Sequence, residues 1–389
     1  MPRRKDPPVR PEDIRGAPYF RLLGPVLKRL HGHGTHRDRA GNRRLFYDQY
    51  LTLLLLYYFT PTLTSLRGLQ QATGLAKVQK ALGVGRVSLG SLSEAANVFD
   101  PALIRGVLVD LTRRLGHRLP RDESKLADLV AVDGTFLPAL PRMAWALGKK
   151  PSHHAAKAHV ACHVLTGLPV DATVTPGCRS ERAEWRKLVH PGGFYVADRG
   201  YVDYALLREL DALPCRFVVR LPDKAIYEVS TQHPIPAAAH AAGVVADDRI
   251  SRLGAPQCNP PLERPMRVVI VERPGPRPGT TERWVLATND LELDGDLVAL
   301  AYRYRWQVEL FFRWMKAILG VRHLILESPS GVAMQVYAAM IASLLIAART
   351  GLKPTKRTFE MVQLYLSGWA SVEEVEAHIK ARRAKESPS

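Results

Sequence analysis

The stretch ADLVAVDGTFL, residues 127–137, is a short apolar run that carries Asp128 near its start and Asp133 further in, and it reads as a buried β-strand ending near Asp133. The segments after it repeat that kind of strand at α/β spacing. AAKAHVACHVLTGLPVDATVT (155–175) reads as a hairpin turning at Thr166-Gly167, and a helix is expected at about Ser180–Val189. FYVADRGY (194–201) gives a fourth strand ending at Asp198, DYALLRELDAL (203–213) a second helix, and CRFVVRL (215–221) a fifth strand. A hairpin pair followed by alternating helix and strand describes a mixed five-stranded α/β sheet with helices on its faces. Functional residues in such sheets gather at the ends of adjacent strands, where Asp133 and Asp198 are expected.

Downstream of this core, residues 222–290 turn to Pro, Gly and short β runs such as MRVVIVERP (266–274) and RWVLATND (283–290), which predicts an all-β insertion. Residues 291–330 return to helix and complete the core begun at 121–221, and 331–389 form a C-terminal helical region ending in the basic tail KARRAK (380–385). Upstream, 37–120 has a helical period with breaks near Thr60-Pro61 and Gly83 to Gly90, as expected of a separate helical DNA-binding domain. Residues 1–36 open with MPRRKDPPVRPED and read as a basic flexible arm. The basic residues Arg37, Arg39, Arg43, Arg44, Arg67, Lys77, Lys80 and Arg86 either follow a phosphate backbone or form a solvated face.

With 46% hydrophobic residues over 389 positions, the chain is long and apolar enough for a large core, which excludes a disordered protein. Its 55 Lys and Arg against 37 Asp and Glu leave a formal charge of +18, so the first partner to consider is a polyanion. Cys162, Cys178, Cys215 and Cys258 are widely spaced and form no CxxC pair. With no secretory leader evident, a reducing cytosol is expected and a structural zinc site is not. The apolar runs 51–59 and 332–347 fall short of the roughly 20 residues a membrane span needs and read as buried helices.

The densest chemical signal is AYRYRWQVELFFRWMKAIL, residues 301–319. Read as one helix at about 100° per residue, Tyr302, Arg305, Glu309 and Lys316 fall within an arc of roughly 60°, bordered by Trp306 and Arg313. A solvated face does not favour a Tyr/Trp pair, and a core face does not gather Arg, Glu and Lys. Such a stripe reads as one wall of a site that binds an anion and a metal together.

Those residues reproduce a Tyr-x2-Arg-x3-Glu-x6-Lys pattern, with a Trp directly after the Arg. In this the chain resembles bacterial insertion-sequence DDE transposases of the branch that carries this signature, the insertion-sequence-four family. VAVDGTFL and VADRGY resemble the blocks that carry the branch's two aspartates, and the resemblance spans roughly 126–319. It implies an RNase H-like fold in which Asp133, Asp198 and Glu309 are both catalytic triad and metal ligands. It implies two Mg²⁺ ions, with Mn²⁺ able to substitute, since Mg²⁺ prefers oxygen ligands and a metal pair stabilises attacking and leaving oxygens alike. The implied activity is cleavage at insertion-sequence ends and strand transfer into target DNA, with a hairpin intermediate as one route.

The same resemblance makes Tyr302, Arg305 and Lys316 DNA-binding groups, with Arg313 and Trp306 beside them. Trp284 matches the tryptophan that stacks on an everted base, and a core tryptophan on a β-strand is the equal alternative. Terminal inverted repeats and target DNA are the expected partners, with a homodimer on paired ends, the C-terminal helices as its interface, and a cytoplasmic, nucleoid-associated location. His153, His154, His159 and His163 lack the companions of a metal set. Arg199 and Tyr201 either orient the site or DNA or simply pack, and Asp203 reads as a helix cap. A nuclease of the same fold that does not join strands, and a catalytically silent DNA-binding descendant, are the alternatives.

Overall fold

The computed structural model describes residues 23–35, 43–116, 125–139, 142–146, 154–255, 262, 264–275, 277–318, 324–353 and 355–386. Its elements in chain order begin with six helices: α1 (Gly24–His31), α2 (Tyr47–Phe59), α3 (Leu66–Ala72), α4 (Ala76–Leu82), α5 (Leu89–Val98) and α6 (Pro101–Gly116). Next come β1 (Leu129–Pro138), β2 (Ala155–His163), β3 (Leu168–Pro176), α7 (Glu181–Arg186), β4 (Phe194–Ala197), α8 (Tyr204–Ala212) and β5 (Arg216–Arg220). The β-rich stretch holds β6 (Tyr227–Gln232), α9 (Ala237–Ala241), β7 (Val244–Leu253), β8 (Met266–Pro274) and β9 (Thr281–Thr288). Helices α10 (Gly295–Tyr304), α11 (Gln307–Ile318), α12 (Pro329–Thr350), α13 (Lys356–Leu366) and α14 (Val372–Glu386) follow.

The mixed α/β expectation holds, but the sheet has nine strands, ordered β3-β2-β1-β4-β5-β9-β8-β7-β6. β1 runs antiparallel to β2 and parallel to β4, and β4 runs parallel to β5. The β-rich stretch does not form a unit of its own. β9 pairs antiparallel with β5, Val219 opposite Ala287, so residues 222–290 continue the sheet from the edge that β5 would otherwise leave open. The β2–β3 hairpin turns at Gly167, whose φ of 63° suits a residue without a side chain.

Alternation along the strands divides the core in two. Leu129, Ala131, Val196 and Val218 face a large cluster with α2, α5, α6, α10, α11 and α12, while Val132, Ala197 and Val219 face a smaller one with Trp185, Leu206 and Leu210. Eighteen of the 22 residues of α12 are buried, and its apolar window, long enough for a membrane, is 94% covered by the fold itself. Ser328 caps the helix start by accepting from the Gly331 amide, and Gly351 ends it in the left-handed conformation.

Two expectations of organisation change. The helices within 37–120 share one core with α12 and with Leu168 and Ala172 of β3, and are not separate from it. Tyr58 donates to the Gln335 carbonyl at 3.0 Å, and Arg105 reaches Asp171 of β3 at 2.7 Å. The arm expected at 1–36 includes α1, whose Val26 and Leu30 are buried; residues 1–22 lie outside the described residues. The basic tail KARRAK is part of α14, which docks through Val375 and Ile379 onto Leu352.

Candidate active site

β1 extends past Asp133 to Pro138, so Asp133 lies within the strand and not at its end. The parallel register still brings the two aspartates together. Val132 pairs with Ala197, so Asp133 and Asp198 occupy the next row side by side, both on the face that meets α10 and α11. β4 stops at Ala197, and Asp198 caps the short 3₁₀ turn Arg199–Tyr201 by accepting from the Arg199 amide at 2.7 Å.

The stretch 301–319, read as one helix from its sequence, belongs to two. Between α10 and α11 the Arg305 amide bonds the Tyr302 carbonyl at 3.1 Å, and the Glu309 amide bonds the Trp306 carbonyl at 3.1 Å. These i→i+3 bonds form a tighter turn that advances about 120° per residue instead of 100°, which resets the angular phase across the break. Tyr302 therefore lies in the last turn of one helix, Arg305 occupies the corner, and Glu309 lies in the first turn of the next.

The corner gathers five of the predicted residues. The Tyr302 hydroxyl donates to Asp198 Oδ1 at 2.9 Å, while Arg305 Nη1 donates to Asp133 Oδ2 at 3.0 Å and Nη2 to Glu309 Oε1 at 3.1 Å. One guanidinium thus ties two carboxylates that would otherwise repel. The Asp133 carboxyl is pushed up to about 6, first by burial and then by Glu309 and Asp198, against the Gly134 amide and Arg305. Burial raises Tyr302 to about 12, keeping it a neutral donor.

The remaining predicted residues spread outward. Lys316 sits two turns beyond Glu309, its pKa lowered by partial burial. Trp306 is 49% exposed at the corner, with the Arg313 guanidinium 6.0 Å from its ring centre. Trp284 is buried between the edge of Tyr302, at 4.8 Å, and the Arg273 guanidinium, at 4.4 Å, a packing that favours the core alternative for its ring in this conformation. Its Nε1 has no hydrogen-bond partner.

One residue of this neighbourhood escaped the sequence reading. Arg220 follows Val219, which pairs with Ala197, so it stands in the same row as Asp133 and Asp198, and its Nη1 donates to Glu282 at 3.4 Å. The parallel β4–β5 pairing was its only signal. Tyr201 is buried against Trp185 with an unpartnered hydroxyl, close enough for Asp133 to raise its pKa. A β-carbon on Gly134 would come within 3.1 Å of that hydroxyl and 2.6 Å of Lys157 Cε, so the residue after Asp133 must be small. Asp203 caps α8 as expected, and His159, buried, and His163, half-buried, are bonded to Thr175 and Thr166. His153 and Cys258 lie outside the described residues.

Among the described residues no three His, Cys, Asp or Glu side chains surround one point as a metal set. Between Asp133 and Glu309 that place is taken by the Arg305 guanidinium. The donors themselves are hard carboxylate oxygens, partly buried and collected at one corner, and their chemistry fits Mg²⁺ or Mn²⁺ once Arg305 releases them.

The fold and this corner define a mixed α/β protein with an acidic site formed by two adjacent parallel strands and a helix start. The chain belongs to the DDE transposase family: the family described as Transposase DDE domain matches residues 124–345. A putative transposase of Sinorhizobium fredii is 29% identical over 250 residues, 64% of this chain and 66% of that protein. A probable transposase for an insertion sequence element of Geobacillus stearothermophilus is 26% identical over 276 residues, 70% of each. A putative insertion-sequence transposase of Synechocystis is 20% identical, covering 71% of this chain and 77% of its own. The chain thus spans about two thirds of the length of the first relative and somewhat more of the others.

Proposed function

We propose that this protein is a DNA transposase that cleaves at the ends of its insertion sequence and transfers the freed strands into target DNA, using Asp133, Asp198 and Glu309. The observation that carries this reading is the register that sets Asp133 beside Asp198 with Arg305 joining Asp133 to Glu309, in a chain of this family. The sheet order β3-β2-β1-β4-β5, with only β2 antiparallel to its neighbours, supports an RNase H-like core.

Two Mg²⁺ ions, or Mn²⁺ in their place, held by the three carboxylates would stabilise the attacking and leaving oxygens of an in-line phosphoryl displacement. The chain's own groups do the rest. Asp133 must be ionised to serve. Tyr302 fixes the Asp198 carboxylate, and Arg305, once released, offers its planar fork to a phosphate beside the cleavage point. Lys316 adds a point charge two turns along the same helix. For a hairpin intermediate, Trp306 presents an open ring to a base, whereas Trp284 must first give up Tyr302 and Arg273. Two ends require two sites, which supports a homodimer on DNA. Its interface excludes most of α12, already buried within one chain, and leaves α13 and α14. Action on chromosomal DNA supports a cytoplasmic, nucleoid-associated location.

The test incubates the full chain with Mg²⁺ and labelled duplex carrying the element's terminal repeats, beside Asp133→Ala, Asp198→Ala and Glu309→Ala. Metal-dependent cutting and joining by the wild type, lost in each variant by at least about 10³-fold, is expected. Cutting without joining makes the protein a nuclease. Binding without cutting makes it a silent DNA-binding descendant.

A further inference from the structure

A cleft of about 390 Å³ opens beside the acidic corner, between α11, the Gly167 turn, and the start of α13 with α14. Four cations line it from places far apart in the chain: Arg313 on α11, Lys353 after α12, Lys356 on α13 and Arg382 on α14. Among the described residues no acidic side chain lines it. A solvated face interleaves both signs, whereas a cleft of one sign concentrates the field for a polyanion. Glu360 meets Lys356 at 3.4 Å as an exposed pair that a phosphate readily replaces.

The rest of the lining suits the same ligand. Gln307 offers a neutral polar side chain, the kind that fixes a nucleic-acid backbone in register, and Leu310 leaves 41% of its surface exposed on the wall. The cleft also continues the corner. Arg313 follows Glu309 by one helical turn, about 6 Å along α11 and about 40° around it, so a strand leaving the acidic site meets Arg313 first and the cleft next. Arg383 holds α14 in place by donating to the Thr350 carbonyl at 2.7 Å, and Arg382 beside it is half-buried and donates to the Thr355 hydroxyl that caps α13.

We propose that the Arg313–Lys353–Lys356–Arg382 cleft is a track for the phosphate backbone of duplex DNA running away from the acidic corner. This rests on the transposase reading, and either the transposon end or the target supplies the backbone. The assay uses the full chain, the triple variant Lys353→Gln/Lys356→Gln/Arg382→Gln, and Lys353→Arg/Lys356→Arg as the charge-preserving control. Thermal melts verify folding of each. Binding to end duplex and to unrelated duplex is measured from 50 to 300 mM salt, together with joining into a supercoiled plasmid.

The triple variant is expected to lose about 2 to 3 units of log–log salt slope, about 0.9 per lost contact, while the arginine control keeps the wild-type slope. A loss confined to the end duplex identifies the transposon end as occupant; a loss confined to unrelated duplex and plasmid joining identifies the target. Wild-type slopes and joining in the triple variant overturn the proposal. A wild type that never cuts its ends removes the functional reading instead, and the slope comparison still decides whether this cleft holds DNA.

Discussion

At the scale of single residues, Arg305 is the group whose removal says most. It is 14% exposed and neutralises Asp133 and Glu309, 21% and 30% exposed, at the point where a metal would sit. Arg305→Gln leaves two partly buried carboxylates facing each other, a loss of about 2 kcal/mol, below the cost of breaking a fully buried pair. In EDTA its melting temperature is expected to fall by roughly 5 °C. Added Mn²⁺ should raise it more than it raises the wild type, because the metal no longer displaces a cation. Equal Mn²⁺ shifts in both proteins sink the idea that Arg305 holds the metal's place. Asp133 gives a second expectation. Its pKa is raised to about 6, so the native state holds a proton that the unfolded chain releases between pH 3.8 and about 6. That contribution to stability is present at low pH and is lost as pH rises through about 6. Metal binding runs the other way, since it needs the carboxylate: Mn²⁺ affinity should drop about tenfold per pH unit below about 6 and level off above it. A titration that stays flat from pH 5 to 8 contradicts this. All three carboxylates were legible in the sequence, two from apolar runs that each end in an aspartate and one from helical spacing. The Arg305 bridge was not, because it depends on a turn that the spacing treats as regular helix.

At the scale of elements, a predicted period holds only within an unbroken element. Spacing across residues 302–316 assumed a constant 100° per residue, yet the i→i+3 turn at Arg305 and Trp306 divides the stretch. The residues still converge because both halves pack on the same sheet face, which is tertiary information. The β stretch teaches a similar lesson. Its strands were legible as strands, but alternation cannot tell a separate sheet from added strands on an existing edge. What fastens the addition to α10 is Arg267 on β8, which meets Asp247 on β7 at 2.5 Å and also bonds the Leu291 and Leu293 carbonyls. Both side chains are under a tenth exposed. Arg267→Met strands Asp247 as a buried, unpaired charge and should cost about 3 to 5 kcal/mol in urea unfolding. Arg267→Met/Asp247→Leu should recover most of it. If the single and double variants lose the same amount, the pair is not what secures the joint. Because α10 carries Tyr302, the single variant should also lose end cleavage at temperatures where it remains folded.

At the scale of the whole molecule, the misjudged feature was independence. Residues 37–120 show a helical period and a basic surface, and a period reveals which face of a helix is apolar but not what covers it. The covering was written in α12, whose residues 331–347 are buried on every side. A helix apolar all round needs neighbours all round. The sheet supplies one flank through β3 and the N-terminal helices supply others, with Ser328 donating to the Ala96 carbonyl at 2.8 Å and Thr112 of α6 to the Pro169 carbonyl at 2.9 Å. The catalytic core as a sequence family, residues 124–345, therefore includes a helix that it cannot cover alone. A fragment of residues 121–389 should expose a large share of α12, bind a hydrophobic dye, and show no cooperative thermal transition. The full chain should unfold without a separate early transition for residues 37–120. Mixing that fragment with a 1–120 fragment should restore the transition, since the missing cover is noncovalent. A 121–389 fragment that melts cooperatively by itself would mean that the sheet and α10, α11, α13 and α14 suffice to bury α12, and that the N-terminal helices are a separable unit after all.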